Sequence, residues 1–596
     1  MGGLRMFLAR HRILLAALGT LVWFGGLVFY GITDASGIPI ILWAIALLLL
    51  IASLATFKNQ PERSFWLKDI FFLIGLLVVF APVYTTFVHE IPWQVNTDEV
   101  TIMLFSEKIA STPHADPVGL SDYFGFPSLP FFVFGKLANM LGGMSLAHMR
   151  LIHAWSGVCI VLAGYCFFRA FLGHGSSLVA AILLGANHSL IAISRMAMRD
   201  NTGLLIELLA LGALAWGLKR RSLLLTFFGG IFTGLTFYTY YPSRITLVIW
   251  VMFLAGTLIF LRDRIPVKTT IKFGVLAFIG FLFTIAPLGI ATIEEGGTSM
   301  SYPKQQFLFL KEGQDLQVEW SGGIPVKDAI VKNISQGLST FNEPIHDQGY
   351  IYPNYGHGFV DPITGVLIWI GLTLAWLRLV SRADGREGDL LAGIGFLILY
   401  LAFSLLITKA PNYTRLLVTL PFVSYLGAIA IRESTAFLTA PIYMFPKIRT
   451  YTMRAVTAGA LLVIFILNFG IFGDFVAKGY TEGNDVGGTG RYVEMRAHRE
   501  HYSFYLAANE SFPYYSWGNA YQWKDWLGFF ADSTQEVTVV DPKEIPGSLK
   551  QPPFTVFMSD ALWKTLELQF RKNYPNLIVH SITPYGHLRA IEVLEK

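Results

Sequence analysis

Long apolar runs dominate the pattern of hydrophobic and polar positions along this chain. Each run covers about 17 to 22 residues, which is enough for a helix to cross the hydrocarbon core of a bilayer. The pattern predicts spans at residues 13–30, 40–57, 70–88, 151–172, 177–193, 202–218, 222–240, 245–261, 273–293, 363–379, 390–407, 416–431 and 455–475. The chain is therefore predicted to be an all-α polytopic membrane protein with about thirteen transmembrane helices.

The composition agrees with the apolar pattern, and the distribution of positive charge predicts how the chain is oriented in the membrane. Of the 596 residues, 54% are hydrophobic and 14% are charged, and the mean hydropathy is +0.52. Lys and Arg gather in short loops, for example at residues 219–221, 262–268 and 378–386, and such residues are retained on the cytoplasmic side. This predicts a multi-pass protein of the plasma membrane with a cytoplasmic N-terminus and an extracytoplasmic C-terminus. The net charge of +5 includes no basic run dense enough to indicate nucleic acid as a partner.

Three hydrophilic regions fall on the outer face in this orientation. They are the loops 89–149 and 294–362 and the tail that follows the last apolar run. The tail alternates strand-like and helical segments, which predicts a small α/β domain. The predicted organisation is therefore a transmembrane domain over residues 1–475 and an extracytoplasmic C-terminal domain over residues 476–596.

Two adjacent carboxylates, Asp98 and Glu99, lie a few residues beyond the third apolar run. A carboxylate just outside a bilayer is well placed to act as a general base on a lipid-carried substrate. Residues 99–110 and 128–141 carry apolar side chains at helical spacing, which predicts two amphipathic helices lying flat on the membrane surface. Alternatively, the acidic pair only begins the first of these helices, since acidic residues favour a helix N-terminus.

Cations also gather at the predicted outer end of the fifth apolar run. Arg195 and Arg199 lie at positions i and i+4, so on one helix they would face the same way. Asp200 could hold one of them in place, and both guanidinium groups could fork onto a lipid phosphate.

Aromatic residues accompany two further arginines. Arg244 ends the string Y-T-Y-Y-P-S-R, in which Tyr238 and Tyr241 are three apart and would share one aromatic face of a helix. Arg415 ends the string K-A-P-N-Y-T-R, and His357 lies in an aromatic, glycine-containing loop before a span. The alternative is that such tyrosines and arginines are interfacial anchors of the kind common in membrane proteins.

These motifs in combination resemble a known family. The acidic pair, the string S-R-x-x-x-x-D from Ser194 to Asp200 and the string from Tyr238 to Arg244 are similar to the protein O-mannosyltransferase and ArnT-like branch of the GT-C glycosyltransferases, in layout over about residues 83–431. The resemblance implies the GT-C fold and a polyprenyl-phosphate sugar as donor. It also implies an acceptor at the outer face, on a protein, lipid or glycan, and inversion at the anomeric carbon.

Such a reaction requires a base that deprotonates the acceptor hydroxyl and cations that neutralise the departing phosphate. Asp98 matches the family's first acidic position and is predicted to be the base, with Glu99 orienting the acceptor or the base. The predicted phosphate ligands are Arg195, Arg199, Arg244 and Arg415, and the predicted substrate contacts are Asp200, Tyr238, Tyr241 and His357.

Other functions and cofactors are less favoured by the sequence. No H-x-x-H string or cysteine cluster accompanies His357, so neither a metal nor another cofactor is predicted. A transporter would show paired repeats with polar residues near the midplane of the membrane, whereas ionisable residues here lie at the outer ends of spans. An outer-face oligosaccharide ligase or polymerase would also use lipid-linked sugars and arginines, and the acidic pair favours the monosaccharide transferase over it.

Overall fold

Helices account for most of the protein. The computed structural model describes residues 11–33, 37–54, 63–113, 115–297, 301–343, 357–478, 485–496, 502–507, 520–531, 537–545, 547–582 and 588–594. Within these residues, eleven helical segments are long and apolar enough to cross a membrane, or twelve if one bent pair forms a single span. Each of the predicted apolar runs overlaps a helix, which confirms a polytopic helical membrane protein.

The described part of the chain contains 23 α-helices. In chain order they are α1 (Arg12–Thr33), α2 (Gly37–Leu54), α3 (Arg63–Thr85), α4 (Thr97–Ser111), α5 (Leu129–Met140), α6 (Leu146–Phe168), α7 (His174–Ala186), α8 (His188–Ser194), α9 (Asp200–Arg220), α10 (Leu223–Leu235), α11 (Thr246–Phe260), α12 (Val267–Glu294), α13 (Ser301–Gln305), α14 (Lys311–Trp320), α15 (Val326–Leu338), α16 (Pro362–Val380), α17 (Arg386–Tyr400), α18 (Tyr413–Leu416), α19 (Leu420–Leu438), α20 (Pro446–Lys478), α21 (Asp485–Arg496), α22 (Ala520–Gly528) and α23 (Asp560–Asn573).

Two of the predicted spans are interrupted, and this lowers the count from about thirteen. Helices α7 and α8 meet at an angle of 57°, because Asn187 leaves the helical conformation and its side chain caps a new helix by accepting from the Leu190 N–H. Helix α10 has only 13 residues. Beyond it the chain turns and forms a short 3-10 helix at Tyr241–Ile245, with Pro242 in its first turn.

The two amphipathic helices of the first outer loop form as expected, and each packs one side against other helices of the protein. Helices α4 and α5 pack so closely that a Cβ on Gly135 would lie 2.3 Å from the Ser106 carbonyl oxygen. Met103 and Phe131 are fully buried. These sides contact each other and the bundle, and the expectation that both helices lie flat on the membrane surface stays a prediction.

The C-terminal segment forms a five-stranded sheet. Its strands are β1 (Ser503–Ala507), β2 (Val537–Val540), β3 (Phe554–Ser559), β4 (Ile578–Ser581) and β5 (Leu588–Val593), in the spatial order β2-β1-β3-β5-β4. Strands β1, β2 and β3 are parallel, while β5 is antiparallel to β3 and β4. The predicted fold class, a helical membrane protein with a small α/β C-terminal part, is confirmed. The extracytoplasmic position of this part and the boundary at residue 475 stay predictions.

Candidate active site

Asp98 lies in the first turn of α4, and its carboxylate forms no ion pair with the residues that the structure describes. The helix is fixed by a capping box, in which the Asn96 side chain accepts from the Asp98 N–H at 2.9 Å and Glu99 Oε1 accepts from the Asn96 N–H at 2.9 Å. The Asp98 side chain is partly exposed, and none of the described residues donates a hydrogen bond to it. Burial raises the pKa of Asp98 above its ordinary value, the Arg199 charge opposes this shift, and the Glu99 charge adds to it.

Glu99, the other acid of the pair, is fully buried and fully bonded. Its carboxylate pairs with Arg150, through Nε at 2.8 Å and Nη2 at 3.0 Å, and also accepts from the Ala197 N–H at 2.8 Å. Glu99 therefore has no surface for an acceptor. Its contacts fit only the second half of the prediction, in which it orients the residue that acts as base.

Arg150 holds the segment that leads into Asp98. Its guanidinium donates to the carbonyl oxygens of His89 at 3.0 Å, Pro92 at 2.6 Å and Gln94 at 2.8 Å, in addition to the pair with Glu99. The side chain is fully buried. Sequence reasoning missed Arg150 because it directly precedes the predicted apolar run 151–172. In the structure it lies within α6, and an arginine inside a membrane-length apolar helix is a sign of a special role.

We expect Arg150→Ala to be strongly destabilising, because it leaves the Glu99 carboxylate buried without its cation. The expected loss is about 3–5 kcal/mol in the free energy of unfolding, measured by thermal unfolding in one detergent. Lys108→Ala is the matched control, since the Lys108–Asp122 pair in the same loop is exposed and should contribute at most about 1 kcal/mol. Equal effects of the two substitutions would contradict a structural role for Arg150.

Arg195 was predicted to bind the donor phosphate, and its contacts do not fit that role. Its guanidinium donates to the carbonyl oxygens of Val83 at 2.6 Å, Tyr84 at 3.0 Å, Thr86 at 2.6 Å and Ile91 at 3.1 Å. Four of its five N–H groups are thereby used within the protein. Arg195 fastens the end of α3 and the following turn.

Arg199 faces a different direction from Arg195, contrary to the i, i+4 prediction. Helix α8 ends at Ser194 and α9 begins at Asp200, so the two arginines do not share a helix. The Arg199 guanidinium carbon lies 3.7 Å from the centroid of the Phe126 ring. Further rings lie within 6 Å of it, those of Tyr123, Phe131 and Tyr240. None of the described residues accepts a hydrogen bond from its side chain.

Asp200 and Asp98 both face the Arg199 charge. Each carboxylate interacts electrostatically with that guanidinium, and the two carboxylates act on each other. Asp200 also lies within hydrogen-bonding reach of the Thr414 hydroxyl, which is 3.2 Å from the Tyr240 hydroxyl. The structure thus joins the first outer loop, the start of α9 and the loop before α19 in one site. Tyr240 and Thr414 were not predicted individually.

Arg244 and Arg415 carry unsatisfied donors beside this cluster. Arg415 is 6% exposed, donates from Nη1 to the Thr408 carbonyl oxygen at 3.3 Å and lies within hydrogen-bonding reach of the Tyr240 hydroxyl. The buried Nε atoms of both arginines have no hydrogen-bond partner among the described residues. The Arg244 charge is close enough to interact with that of Arg199. Buried donors without acceptors are costly, so this arrangement is suited to binding an anion.

Tyr238 and Tyr241 of the 238–244 string contact different parts of the structure. The Tyr238 hydroxyl donates to the Thr284 carbonyl at 3.1 Å, so this residue packs against α12. The Tyr241 ring lies 5.8 Å from that of Tyr302 and 5.7 Å from the Arg415 guanidinium carbon. The prediction of a shared face is wrong because α10 ends before Tyr238 and the chain is no longer α-helical. Tyr302, which belongs to the second outer loop, was missed because it is distant in sequence.

His357 is not joined to the acidic cluster by any described side-chain contact. Its Nε2 lies 3.7 Å from a carboxylate oxygen of Asp474, near the end of α20. Residues 344–356, which include much of the aromatic, glycine-containing loop that precedes this span, lie outside the described residues. No group of three or more His, Cys, Asp or Glu side chains suited to a metal is found in the described part of the chain.

Solved structures share this architecture, although no protein-family model and no curated protein sequence matches the chain. ArnT from Cupriavidus metallidurans, bound to undecaprenyl phosphate, superposes with a TM-score of 0.50 and 14% identity, over 89% of this chain and 98% of that one. The chain has the GT-C fold. The archaeal oligosaccharyltransferase AglB from Archaeoglobus fulgidus, in complex with an inhibitory peptide and a dolichol-phosphate, superposes with a TM-score of 0.50 and 10% identity.

The extent of these GT-C similarities differs. The match to AglB includes 80% of this chain but only 65% of the archaeal chain. The predicted resemblance to GT-C proteins is thereby confirmed at the level of the fold. The structure brings together five of the predicted site residues, namely Asp98, Arg199, Asp200, Arg244 and Arg415. Their individual roles stay predictions.

Proposed function

We propose that this protein is an integral membrane glycosyltransferase that moves a monosaccharide from a polyprenyl-phosphate donor to an acceptor hydroxyl at the outer face of the membrane. One observation carries the proposal. The Asp98 carboxylate lies beside Arg199 and Asp200, in a site where the buried Nε atoms of Arg244 and Arg415 have no acceptor among the described residues. A base and an anion site in one place are what this transfer requires.

Asp98 is the proposed general base. It takes the proton of the acceptor hydroxyl as the hydroxyl oxygen attacks the anomeric carbon, and the bond from that carbon to the phosphate oxygen breaks. The products are the glycosylated acceptor and the polyprenyl phosphate, and the proton remains on Asp98. Attack from the side opposite the phosphate inverts the anomeric carbon. The raised pKa of Asp98 favours this role, because a more basic carboxylate is a better proton acceptor.

Arg244 and Arg415 are the proposed ligands of the donor phosphate. Their guanidinium groups can donate planar pairs of hydrogen bonds to phosphate oxygens and neutralise the charge that grows as the sugar leaves. Lys409 lies close enough to Arg415 for their charges to interact, and burial together with that charge lowers the pKa of Lys409. Such a concentration of positive charge is offset when a phosphate is bound.

The rings around the site suit the rest of the donor. Tyr240, Tyr241 and Tyr302 form a series of edge-on contacts, with centroids 5.1 Å and 5.8 Å apart. Aromatic faces of this kind can cover a sugar or the first units of a prenyl chain. The ligands seen in the ArnT and AglB structures, undecaprenyl phosphate and a dolichol-phosphate, support a polyprenyl phosphate as the carrier.

The purified protein should be stabilised by its donor. We would measure its unfolding temperature with polyprenyl-phosphate sugars, with polyprenyl phosphate alone and with a polyprenyl-diphosphate oligosaccharide. Ligand at about 100 times its dissociation constant adds about 2.7 kcal/mol of stability, which raises the unfolding temperature measurably. Stabilisation by one monophosphate sugar, lost in Arg415→Ala, supports the proposal. Stabilisation by the diphosphate oligosaccharide alone would instead indicate an oligosaccharide ligase, and no stabilisation by any lipid would contradict both.

A further inference from the structure

Helix α21 of the C-terminal segment lies against the turn that leads into Asp98. Arg491, on this helix, donates from Nε to the Trp93 carbonyl at 2.7 Å and from Nη2 to the His89 carbonyl at 2.5 Å. Its guanidinium carbon also lies 4.5 Å from the centroid of the Trp93 ring. The Arg491 side chain is 2% exposed, so these contacts are shielded from water.

The backbones of the two segments touch as well. A Cβ added to Gly487 would lie 1.8 Å from the Val95 carbonyl oxygen, so only glycine allows this approach. Glu494 reinforces the contact, accepting from Arg491 Nη1 at 2.6 Å and lying 2.7 Å from His89 Nε2. Burial alone would raise the pKa of Glu494, but the hydrogen bonds from His89 and Arg491 lower it to about 2. The interaction therefore remains charged through the neutral pH range.

The other end of α21 is fastened to the C-terminal sheet. Arg496 makes a two-point pair with the Glu592 carboxylate on β5, at 2.9 Å and 3.0 Å. Glu592 is 3% exposed and also accepts from the Tyr502 hydroxyl at 3.1 Å. Since Arg491 and Arg496 lie on one short helix, the sheet and the turn before Asp98 are connected by a single rigid element.

The same turn is held from the opposite direction by the membrane bundle. The His89 carbonyl oxygen accepts from Arg150 Nη1 at 3.0 Å and from Arg491 Nη2 at 2.5 Å. Arg150 in turn pairs with Glu99, which closes the cap that places Asp98. One carbonyl is thus shared by an arginine of the bundle and an arginine of the C-terminal segment.

We propose that Arg491 is a positioning residue for the base, and that through it the C-terminal domain forms part of the catalytic apparatus. This inference rests on the proposed function. Arg491 does not touch the reacting atoms. It fixes the backbone of residues 89–95 against Arg150 and so sets where the Asp98 carboxylate lies relative to Arg199.

Arg491→Lys tests the proposal, because lysine keeps the charge but cannot donate to two carbonyls in the same planar geometry. We expect kcat to fall about 10²-fold, as for a base displaced by about 1 Å, while the donor concentration that gives half of the maximal thermal shift is unchanged. In the plot of kcat against pH, the fall on the acid side (the acid limb) should also shift to a different pH, since the pKa of Asp98 depends on its distance from Arg199. Arg571→Ala, an exposed arginine of the same domain, is the control and should change none of these values.

Gly487→Ala provides a second variant that leaves every charge in place. It should push α21 away from Val95 and reproduce the fall in kcat and the moved acid limb. Normal kcat per folded enzyme and an unmoved acid limb in both variants would overturn the positioning role, even where both unfold at lower temperature. Because these comparisons require a parent protein that transfers sugar, absence of transfer in the parent would count against the proposed function and is thereby distinguished from failure of the coupling.

Discussion

Asp98→Asn is expected to slow sugar transfer by about 10² to 10⁴ fold while donor binding is largely retained. The amide keeps the size and most of the polarity of the side chain but cannot accept the proton of the acceptor hydroxyl. The measurement is single-turnover transfer with saturating donor, alongside donor-dependent thermal stabilisation. Asp122→Asn is a matched control, because Asp122 is an exposed acid of the same outer loop.

The same substitution should leave the fold intact. Burial raises the pKa of Asp98, so the folded protein binds this proton more tightly than the unfolded chain does. The ionised carboxylate therefore opposes folding at neutral pH, and removing its charge should maintain or raise the unfolding temperature. A variant that loses both activity and stability would not support a catalytic role.

The pH dependence of the parent enzyme follows from the same shift. Asp98 must be ionised to act as base, so kcat should fall as the pH drops through its pKa. Because that pKa is raised, the fall should occur at higher pH than for an ordinary aspartate. An acid limb at the ordinary position, or none at all, would contradict the assignment of the base.

Arg415→Ala should weaken donor binding by about 10 to 150 fold, the equivalent of one charge-assisted hydrogen bond of about 1.5–3 kcal/mol. The residue is buried beside Tyr241, and its Nε has no partner among the described residues, so its donors are available to a phosphate. Arg415→Lys should recover only part of the affinity, since a point charge cannot donate the planar pair. The affinity is obtained from thermal shifts over a series of donor concentrations.

Arg195→Ala is the informative contrast to Arg415→Ala. Arg195 is also a buried arginine near the site, but four backbone carbonyls occupy its donors. We expect it to lower the unfolding temperature and to leave the donor affinity of the folded fraction unchanged. A specific loss of donor affinity in Arg195→Ala, with none in Arg415→Ala, would reverse the two assignments.

Much of the architecture could be predicted because bilayer-length apolar runs depend only on local sequence. The positions at which two of the predicted spans are interrupted were harder to predict. Asn187 sits within an apolar run and interrupts it by capping, and α10 ends at Leu235 although apolar and aromatic residues continue. Both breaks depend on packing between helices, which hydropathy does not measure.

The site was predicted in part for a similar reason. Asp98, Asp200, Arg244 and Arg415 carry charge at the ends of spans, where a sequence shows them readily. What the sequence cannot show is which donors are already used within the protein, and this separates Arg195 from Arg415. Tyr302 reaches the site from a different outer loop, so only tertiary structure brings it there.

The contact between Arg491 and the Trp93 carbonyl also bears on how the protein is made. The two residues are 398 positions apart, and a ribosome that adds about 5–20 residues each second needs roughly 20–80 s to proceed from one to the other. Throughout that interval the turn that leads into the acidic pair lacks its hydrogen bonds from Arg491, while most of the bundle is already being inserted. These contacts can form only after α21 has been synthesised and delivered to the same side of the membrane as the turn. A nascent or prematurely terminated chain would thus occupy the membrane without the contacts that fix the turn before Asp98, the proposed base.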